Sequence, residues 1–231
     1  MFQSWHDLLF AHWPVPLTAL RDLVPGCLEI DLLDGQAWVG VVPFRMTDVR
    51  LRRTPAMPWL SSFAELNVRT YVRVGDKRGV YFFSLDAANP LAVEVARRWF
   101  HLPYFNARMR CAGENGTISY QSTRTDKRGG SAELDVWYRP LEEPRARDVG
   151  SVEAWLTERY CLYTADKSGQ LFCGDIHHRQ WPLQQAEAEF STNTMPAAAG
   201  IVLPEVDPLL HFSKRLDVLI WPLKRCACDL I

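Results

Sequence analysis

This sequence of 231 residues contains few lysines and no excess of basic over acidic residues. The formal net charge is −1, because the 26 basic residues are balanced by 27 acidic ones. Proteins that bind nucleic acid usually carry a basic excess or a basic stripe, so we expect no nucleic-acid partner. The few lysines are Lys77, Lys127, Lys167, Lys214 and Lys224.

The chain also lacks a long apolar run, and none approaches the roughly 18 residues that a membrane-spanning helix needs. Its first residues have no basic region, and Asp7 interrupts their apolar part, unlike a secretory signal. These absences predict a cytoplasmic protein without a membrane partner. A disulfide framework is therefore not expected, and the apolar neighbours of Cys27, Cys161 and Cys173 are typical of reduced core cysteines.

Motifs of several common enzyme classes are missing. The sequence has no G-x-S-x-G elbow, no P-loop, no G-x-G-x-x-G and no H-E-x-x-H. Cys226 and Cys228 lie close together, but no second Cys/His pair stands at the spacing of a zinc site. His177 and His178 are adjacent, so in an extended chain they point to opposite sides and cannot easily share a metal. We therefore expect neither a metal nor a cofactor.

The N-terminal segment carries an apolar pattern that matches helical spacing. Trp5, Leu8 and His12 fall on one helical face, which predicts a helix over residues 4–12. His12 is then expected to make a structural contact at the end of that helix. A second short helix is predicted over residues 17–24.

Most of the remaining chain reads as strands separated by turns. Asp34-Gly35 predicts a hairpin between the runs that flank it, and an arginine- and proline-rich loop is predicted over residues 50–58. Asn89 and Ser151 each open a predicted helix. The further strands are predicted at 63–74, 80–86, 107–114, 117–124, 132–140, 160–166, 170–176, 183–188 and 215–223.

Residues 140–150, PLEEPRARDVG, have the composition of a linker and suggest a boundary between two domains. Each half alone, however, has too few strands to close or cover a sheet. A single sheet formed by strands from both sides of this segment leaves fewer unpaired strand edges than two separate sheets. We therefore predict a single domain over residues 1–231.

One strand carries an unusual row of polar side chains. Glu65, Asn67, Arg69 and Tyr71 alternate with small and apolar residues, so they share one face. Buried charges cost several kcal/mol each unless they are paired. If this face lines an interior, its charges pair with each other or with a polar ligand. The alternative is a solvent-exposed face with a weak surface ion pair.

Recognisable motifs run through nearly the whole chain. They are FAHW at 10–13, LVP at 23–25, DGQAWVGV at 34–41, ELNVRTYV at 65–72, GVYFFSL at 79–85, LPY at 102–104, LTERYCLY at 156–163 and HRQW at 178–181. Together they resemble the YqjF-like family of uncharacterised bacterial proteins, and more distantly acetoacetate decarboxylase. The resemblance implies an α+β fold, a closed cone-like β-barrel of antiparallel or mixed strands with peripheral helices and an interior pocket. Because related barrels assemble as oligomers, it leaves a homo-oligomer open.

The same resemblance indicates whether this chain can use the Schiff-base reaction of acetoacetate decarboxylases. Acetoacetate decarboxylases carry a G-R-E-x-x-G-x-P-K-K-x-A segment, in which one lysine forms a Schiff base and its neighbour lowers that lysine's pKa. The corresponding run at 96–107 keeps Arg97 and Pro103 but has Tyr104 and Phe105 in place of the two lysines. The resemblance therefore implies the fold without the Schiff-base reaction.

The sequence thus predicts a pocket for a small organic ligand, anionic or aromatic. We favour a small-molecule-binding protein. The alternatives are a lysine-independent enzyme of lyase or hydrolase type, acting on a small carbonyl, carboxylate or aromatic metabolite, and an oligomeric scaffold with a structural polar face. The predicted ligand-binding residues are Glu65, Asn67, Arg69, Tyr71, Arg97 and Tyr104.

Overall fold

The structure is a computed structural model that describes residues 1–50 and 61–226. Most of the loop predicted at 50–58 lies outside these residues. Two single-turn 3-10 helices occur at Leu17–Ala19 and Arg21–Leu23. The helices are α1 (Pro90–Phe100), α2 (Val152–Thr157) and α3 (Met195–Ala198). The strands are β1 (Phe2–Val15), β2 (Glu29–Ile30), β3 (Ala37–Arg50), β4 (Phe63–Val74), β5 (Lys77–Ala87), β6 (Tyr104–Glu114), β7 (Thr117–Arg124), β8 (Glu133–Pro140), β9 (Cys161–Ala165), β10 (Leu171–His178), β11 (Gln184–Asn193), β12 (Leu209–Ile220) and β13 (Lys224–Arg225).

The predicted N-terminal helix is wrong, because residues 4–12 belong to strand β1, which pairs with β12 and β3. β1 is buried on both faces: Phe10 belongs to one apolar cluster and Leu9 and Ala11 to the other. A strand buried on both faces shows no polar alternation, and a short apolar run cannot be told from a helix by its spacing. The helix predicted at 17–24 is replaced by the two 3-10 turns.

The turn predicted at Asp34-Gly35 is present, with φ of 52° and 76°, as the mirror-image turns of hairpins require. Only one bridge, between Leu33 and Gln36, flanks it. β2 pairs with β4 instead of β3, so the long hairpin predicted around this turn is wrong.

The other predicted helices and strands are present, although the strand predicted at 215–223 is β12, which begins at Leu209 and ends at Ile220. β4 and β5 form a hairpin, as do β6 and β7 around Asn115-Gly116. The Asn89 side chain accepts hydrogen bonds from two backbone N–H groups of α1, each at 3.1 Å. The Ser151 hydroxyl oxygen caps α2 by accepting from the Ala154 N–H at 3.2 Å.

The strands form one sheet whose hydrogen-bonded order is β13-β10-β9-β5-β6-β7-β8-β11-β12-β1-β3-β4-β2. Two additional pairings, β4 with β5 and β10 with β12, close this series into two rings. The larger ring contains β1, β3, β4, β5, β6, β7, β8, β11 and β12. The smaller ring contains β1, β3, β4, β5, β9, β10 and β12, so five strands belong to both.

Two of the shared strands change partners along their length. β5 pairs with β9 through Val80 and Tyr81, and with β6 through residues 85–87. β12 likewise pairs with β11 near its start and with β10 near its end. Pairings such as β8 with β11 join strands from either side of residues 140–150.

The shared strands separate two apolar clusters. On β4, Ala64, Leu66 and Val68 belong to the first cluster, while Phe63 and Tyr71 belong to the second. The polar row predicted on β4 therefore faces the second cluster, together with Phe10 and Phe44, which come from β1 and β3.

Cys27 is disulfide-bonded, so the expectation that it is a reduced core cysteine is wrong. Cys161 and Cys173 are buried free thiols, as expected, and Cys228 lies outside the described residues. In the described part of the chain no helix has the length and apolar character needed to span a membrane.

Candidate functional site

A cavity of about 50 Å³ lies against the polar row of β4. Glu65, Asn67 and Arg69 line it. The strands that contribute lining residues are β1, β3, β4, β5 and β10, and all five belong to the smaller ring. The remaining lining side chains used below are Phe10, Phe44, Phe82, Arg159, His178 and Trp181.

The polar row is buried. The exposed fraction is 4% for Glu65, 5% for Asn67, 8% for Arg69 and 0% for Tyr71. These values rule out the alternative of a solvent-exposed face. The alternation of β4 thus places the first three side chains in the cavity wall, while Tyr71 lies buried behind it and is not one of the lining residues.

Glu65 is bound by the residue that stands where the resemblance places a lysine. The Tyr104 hydroxyl donates to Oε2 of Glu65 at 2.8 Å. Burial raises the pKa of Glu65 to about 8, although the Tyr104 hydrogen bond acts in the opposite direction. Burial, and then the Glu65 charge, raise the pKa of Tyr104 well above its usual value. Both groups are therefore neutral at pH 7.

Arg97, predicted as a ligand-binding residue, does not line the cavity. Its Nη1 donates to the backbone carbonyl oxygen of Tyr104 at 2.6 Å. Arg97 therefore links α1 to the start of β6, and its contribution to the site is to position Tyr104.

Arg69 is a buried cation without a counter-ion in the part of the chain that the structure describes. Neither its Nε nor its Nη2 has a hydrogen-bond partner among the described residues. Its guanidinium carbon lies 5.4 Å from the centroid of the Phe10 ring and 5.8 Å from that of Tyr71. Glu65 is occupied by Tyr104 instead, so the ion pair considered between Glu65 and Arg69 is not formed.

A second guanidinium, that of Arg159, lines the same cavity but is neutralised. Its Nη1 donates to Oδ2 of Asp31 at 2.5 Å, and its Nε donates to the Trp155 carbonyl oxygen at 2.8 Å. Its guanidinium carbon lies 4.9 Å from the centroid of the Tyr71 ring. Arg159 was not among the predicted site residues. The only signal was its place in the LTERYCLY motif, since its partner Asp31 lies 128 residues away.

Tyr71 shares a hydrogen bond of 2.6 Å between its hydroxyl and Nε2 of His12, and both residues are fully buried. Burial, and then the charge of Arg69, hold the pKa of His12 well below its usual value, so this imidazole is neutral. Gly40 makes room for it, because a Cβ at that position would lie 3.1 Å from the His12 ring.

His178 lines the cavity and is also neutral, because burial lowers its pKa. Its Nδ1 lies 2.7 Å from the carbonyl oxygen of Arg179. Since a carbonyl only accepts, this contact requires a proton on Nδ1, and a hydrogen bond with the Arg159 backbone also raises the pKa of this imidazole. His177 is exposed on the opposite side of β10, as predicted. In the described residues no cluster of three His, Cys, Asp or Glu side chains could hold a metal.

Unsatisfied polar atoms are concentrated on this side of the sheet. His211 and Ser213 of β12 pair directly with Phe10 and Leu8 of β1, so they share the cavity face. Buried polar groups normally have hydrogen-bond partners, and a group of unsatisfied ones marks a place for water or a polar ligand. Among the described residues, the atoms without partners here are Nδ1 of His12, Oδ1 of Asn67, Nε and Nη2 of Arg69, Nη2 of Arg159, Nδ1 of His211 and Oγ of Ser213, and others belong to Trp38, Ser84, Asn106, Ser122, Arg147 and Asn193.

No lysine lines the cavity. Lys77 pairs with Asp175 at 2.5 Å, and Lys214 pairs with Asp7 at 2.5 Å. At the second position where the resemblance places a lysine, the Phe105 ring packs under a guanidinium, with the Arg124 carbon 4.2 Å from its centroid.

The chain matches the model of the family DUF2071, described as "Uncharacterized conserved protein", over residues 2–217. It belongs to this family. A relative, the "Uncharacterized protein YqjF" of Bacillus subtilis (strain 168), is 50% identical over 225 residues, which cover 97% of this chain and 92% of that protein. The resemblance found in the motifs is therefore confirmed.

Solved structures show which fold this DUF2071 chain has. Acetoacetate decarboxylase from Legionella pneumophila matches with a TM-score of 0.65 at 15% identity, over 100% of this chain and 88% of that one. An acetoacetate decarboxylase-like enzyme from Sphingomonas wittichii matches with a TM-score of 0.69 at 13% identity, over 98% of this chain and 93% of that one. The enduracididine biosynthesis enzyme MppR, complexed with pyruvate, matches with a TM-score of 0.66 at 9% identity, over 98% of this chain and 90% of that one. The fold is thus mostly sheet with few helices and is similar to that of acetoacetate decarboxylase.

Proposed function

We propose that this chain binds a small organic anion in the cavity, with Arg69 as the counter-ion, and that its two strand rings form a cone-like barrel around that site. The observation that carries the proposal is a buried guanidinium that has no carboxylate partner within residues 1–50 and 61–226. An uncompensated buried charge costs several kcal/mol. A ligand that supplies the missing negative charge explains why the residue is there.

The charges around the cavity indicate a ligand with one negative charge. Arg159 is balanced by Asp31, and Glu65, His12 and His178 are neutral for the reasons given above. Arg69 therefore leaves one positive charge uncompensated. Its unsatisfied Nε and Nη2 form one edge of the guanidinium, which is the fork that binds a carboxylate through two parallel hydrogen bonds.

The cavity volume limits the size of that ligand. Each water needs roughly 10–15 Å³ of such volume, so about 50 Å³ holds on the order of four or five non-hydrogen atoms. Acetate has four non-hydrogen atoms, propionate five and pyruvate six, so these acids lie at or just above this size, whereas an aromatic acid such as benzoate, with nine, is too large. Of the two ligand classes predicted from sequence, the geometry thus favours the anionic one. The complex of MppR with pyruvate supports a small carboxylate as ligand for this fold.

Binding can be tested by calorimetric titration with acetate, propionate, pyruvate and benzoate. We expect saturable binding of the first three, loss of binding in Arg69→Met, and unchanged binding in Arg108→Met, which makes the same change at an exposed position of β6. Equal affinity of Arg69→Met and the unchanged protein would refute the site. Preferential binding of benzoate would refute the size limit.

A lysine-independent enzyme is a second candidate, favoured by one observation. Glu65, a neutral acid, and His178, a neutral imidazole, line the same cavity. A proton donor and a proton acceptor on one cavity are what general acid–base catalysis on a small carbonyl or carboxylate metabolite requires. Turnover of any of the bound acids by the unchanged protein, and its loss in both Glu65→Gln and His178→Gln, would favour the enzyme.

We also propose that residues 1–231 form one domain. Pairing of β8 with β11 and of β5 with β9 crosses residues 140–150, and such pairing supports joint unfolding. Cleavage within this segment by limited proteolysis should leave the two fragments associated. Release of two separately folded halves would contradict this.

A further inference from the structure

Helix α1 exposes an apolar stripe. The exposed fraction is 55% for Leu91, 38% for Val95 and 66% for Trp99. These residues are spaced four apart, so they are neighbours along one side of the helix. Val93, on the opposite side, is the only residue of α1 that is fully buried. A surface helix normally turns polar residues to the solvent, so this stripe needs a different explanation.

The residues that flank the stripe differ on its two sides. Glu94 and Arg98 lie on one side, four residues apart and opposite in charge. Ala92 and Ala96 lie on the other side, where their small side chains allow another helix to approach closely. The face is therefore apolar at its centre and carries one charge of each sign along one edge.

We infer that α1 is the surface through which two copies of this chain associate, with the two helices antiparallel about a twofold axis near residue 96. A twofold interface brings the same patch together from both copies. In the antiparallel arrangement, Glu94 of each copy faces Arg98 of the other, so two ion pairs form. In a parallel arrangement the charged edge of each copy would face the alanine edge of the other, and no ion pair would form. The pattern is thus complementary to itself in one orientation.

The existing contacts of these side chains leave room for that pairing. Glu94 already pairs with Arg128, with Oε1 2.7 Å from Nη1. Its side chain is still 43% exposed, and a carboxylate has enough acceptor positions for a second guanidinium. The charges of the face balance, so it does not favour a nucleic acid or an anionic membrane. A single pair of helices buries less than a standard interface of about 1,600 Å², so we expect weak, concentration-dependent association.

Sedimentation velocity over a wide range of protein concentration tests this inference. We expect the unchanged chain to form dimers, and Trp99→Ala to weaken them by about tenfold or more, as for an interface tryptophan. Trp137→Ala is the matched control, because that side chain is also exposed, at 37%, but lies on β8. A chain that stays monomeric at every concentration, or a dimer that Trp99→Ala leaves unchanged, would overturn the inference.

Charge reversal tests the orientation. Arg98→Glu places Glu94 of one copy against a second carboxylate, so we expect it to weaken the dimer. The double variant Glu94→Lys with Arg98→Glu exchanges the two charges and should restore association. Because all these side chains are exposed, the variants are expected to fold, which circular dichroism checks. A double variant that remains as weak as Arg98→Glu alone would overturn the antiparallel arrangement.

Discussion

Two arginines of this protein are buried to the same extent but have opposite surroundings. Arg124 and Arg69 are both 8% exposed. Nε and Nη2 of Arg124 donate to the two carboxylate oxygens of Asp86 at 2.7 and 2.6 Å. The same two nitrogens of Arg69 have no partner among the described residues. The molecule therefore shows, at Arg124, what the guanidinium edge of Arg69 is suited to accept.

The difference separates a structural role from a binding role. Arg124 is satisfied within the chain, so it contributes to the folded state without a ligand. Arg69 is satisfied only if something else enters the cavity. Replacing each arginine by methionine, which keeps most of the apolar volume, should therefore change stability in opposite directions.

The largest expected effect is that of Arg124→Met. Its removal leaves the fully buried Asp86 carboxylate without a cation, which costs about 3–5 kcal/mol of the free energy of unfolding. Urea denaturation followed by circular dichroism measures this change. A loss below roughly 1 kcal/mol, the range of an exposed pair, would show that Asp86 and Arg124 are not buried together in solution.

Arg69→Met should instead stabilise the ligand-free protein. The substitution removes a buried charge together with its two unsatisfied donors. A buried unsatisfied group costs about 1–3 kcal/mol, so we expect the free energy of unfolding to increase by about that amount. The same urea experiment, without added organic acids, measures it. Destabilisation as large as that of Arg124→Met would mean that Arg69 has a partner within the chain.

The effect expected for Glu65→Gln depends on pH and, over a single pH unit, is smaller than that of Arg124→Met. The pKa of Glu65 is raised to about 8 in the folded protein, so between its usual value and pH 8 the folded state holds a proton that the unfolded state has lost. The stability contributed by Glu65 is therefore complete at low pH and declines as the pH rises to about 8, by up to about 1.4 kcal/mol per pH unit.

Glu65→Gln should remove this slope, which urea denaturation at a series of pH values shows. Anion binding should also weaken above pH 8 in the unchanged protein, because ionised Glu65 then supplies the negative charge that the ligand otherwise brings. Parallel pH profiles for the two proteins would contradict the assignment of this proton to Glu65.

The sequence predicted the polar row of β4 correctly because strand alternation is a local property. Glu65, Asn67 and Arg69 follow from a period of two, and burial of their face was one of the two alternatives considered. The pairing of these residues was not predictable. Tyr104 comes to Glu65 from a strand 39 residues away, and Arg159 enters the cavity beside an Asp31 that is distant in sequence.

Two other differences between expectation and structure have physical causes as well. Strand β1 is buried on both faces, so its apolar residues fall at helical as well as strand spacing. Arg97 was selected because it matches a family motif, but in the structure its guanidinium donates a hydrogen bond to the backbone carbonyl oxygen of Tyr104. A motif preserves a residue's place in the chain, while its contacts depend on the side chains around it.

The two ring closures also bear on how this chain behaves at high concentration. A sheet of this size would ordinarily present long unpaired strand edges, which recruit strands from other molecules and start aggregation. Within the described residues, the ends of the strand order are β2 and β13, each two residues long. Each carries charge, from Glu29 and from Lys224 and Arg225. Those two ends therefore offer almost no template for strand addition. Among the described residues, longer one-sided edges remain on β6 at residues 107–114 and on β11 at residues 186–193, each paired with a single neighbour there, so we expect any strand addition to begin at these two strands.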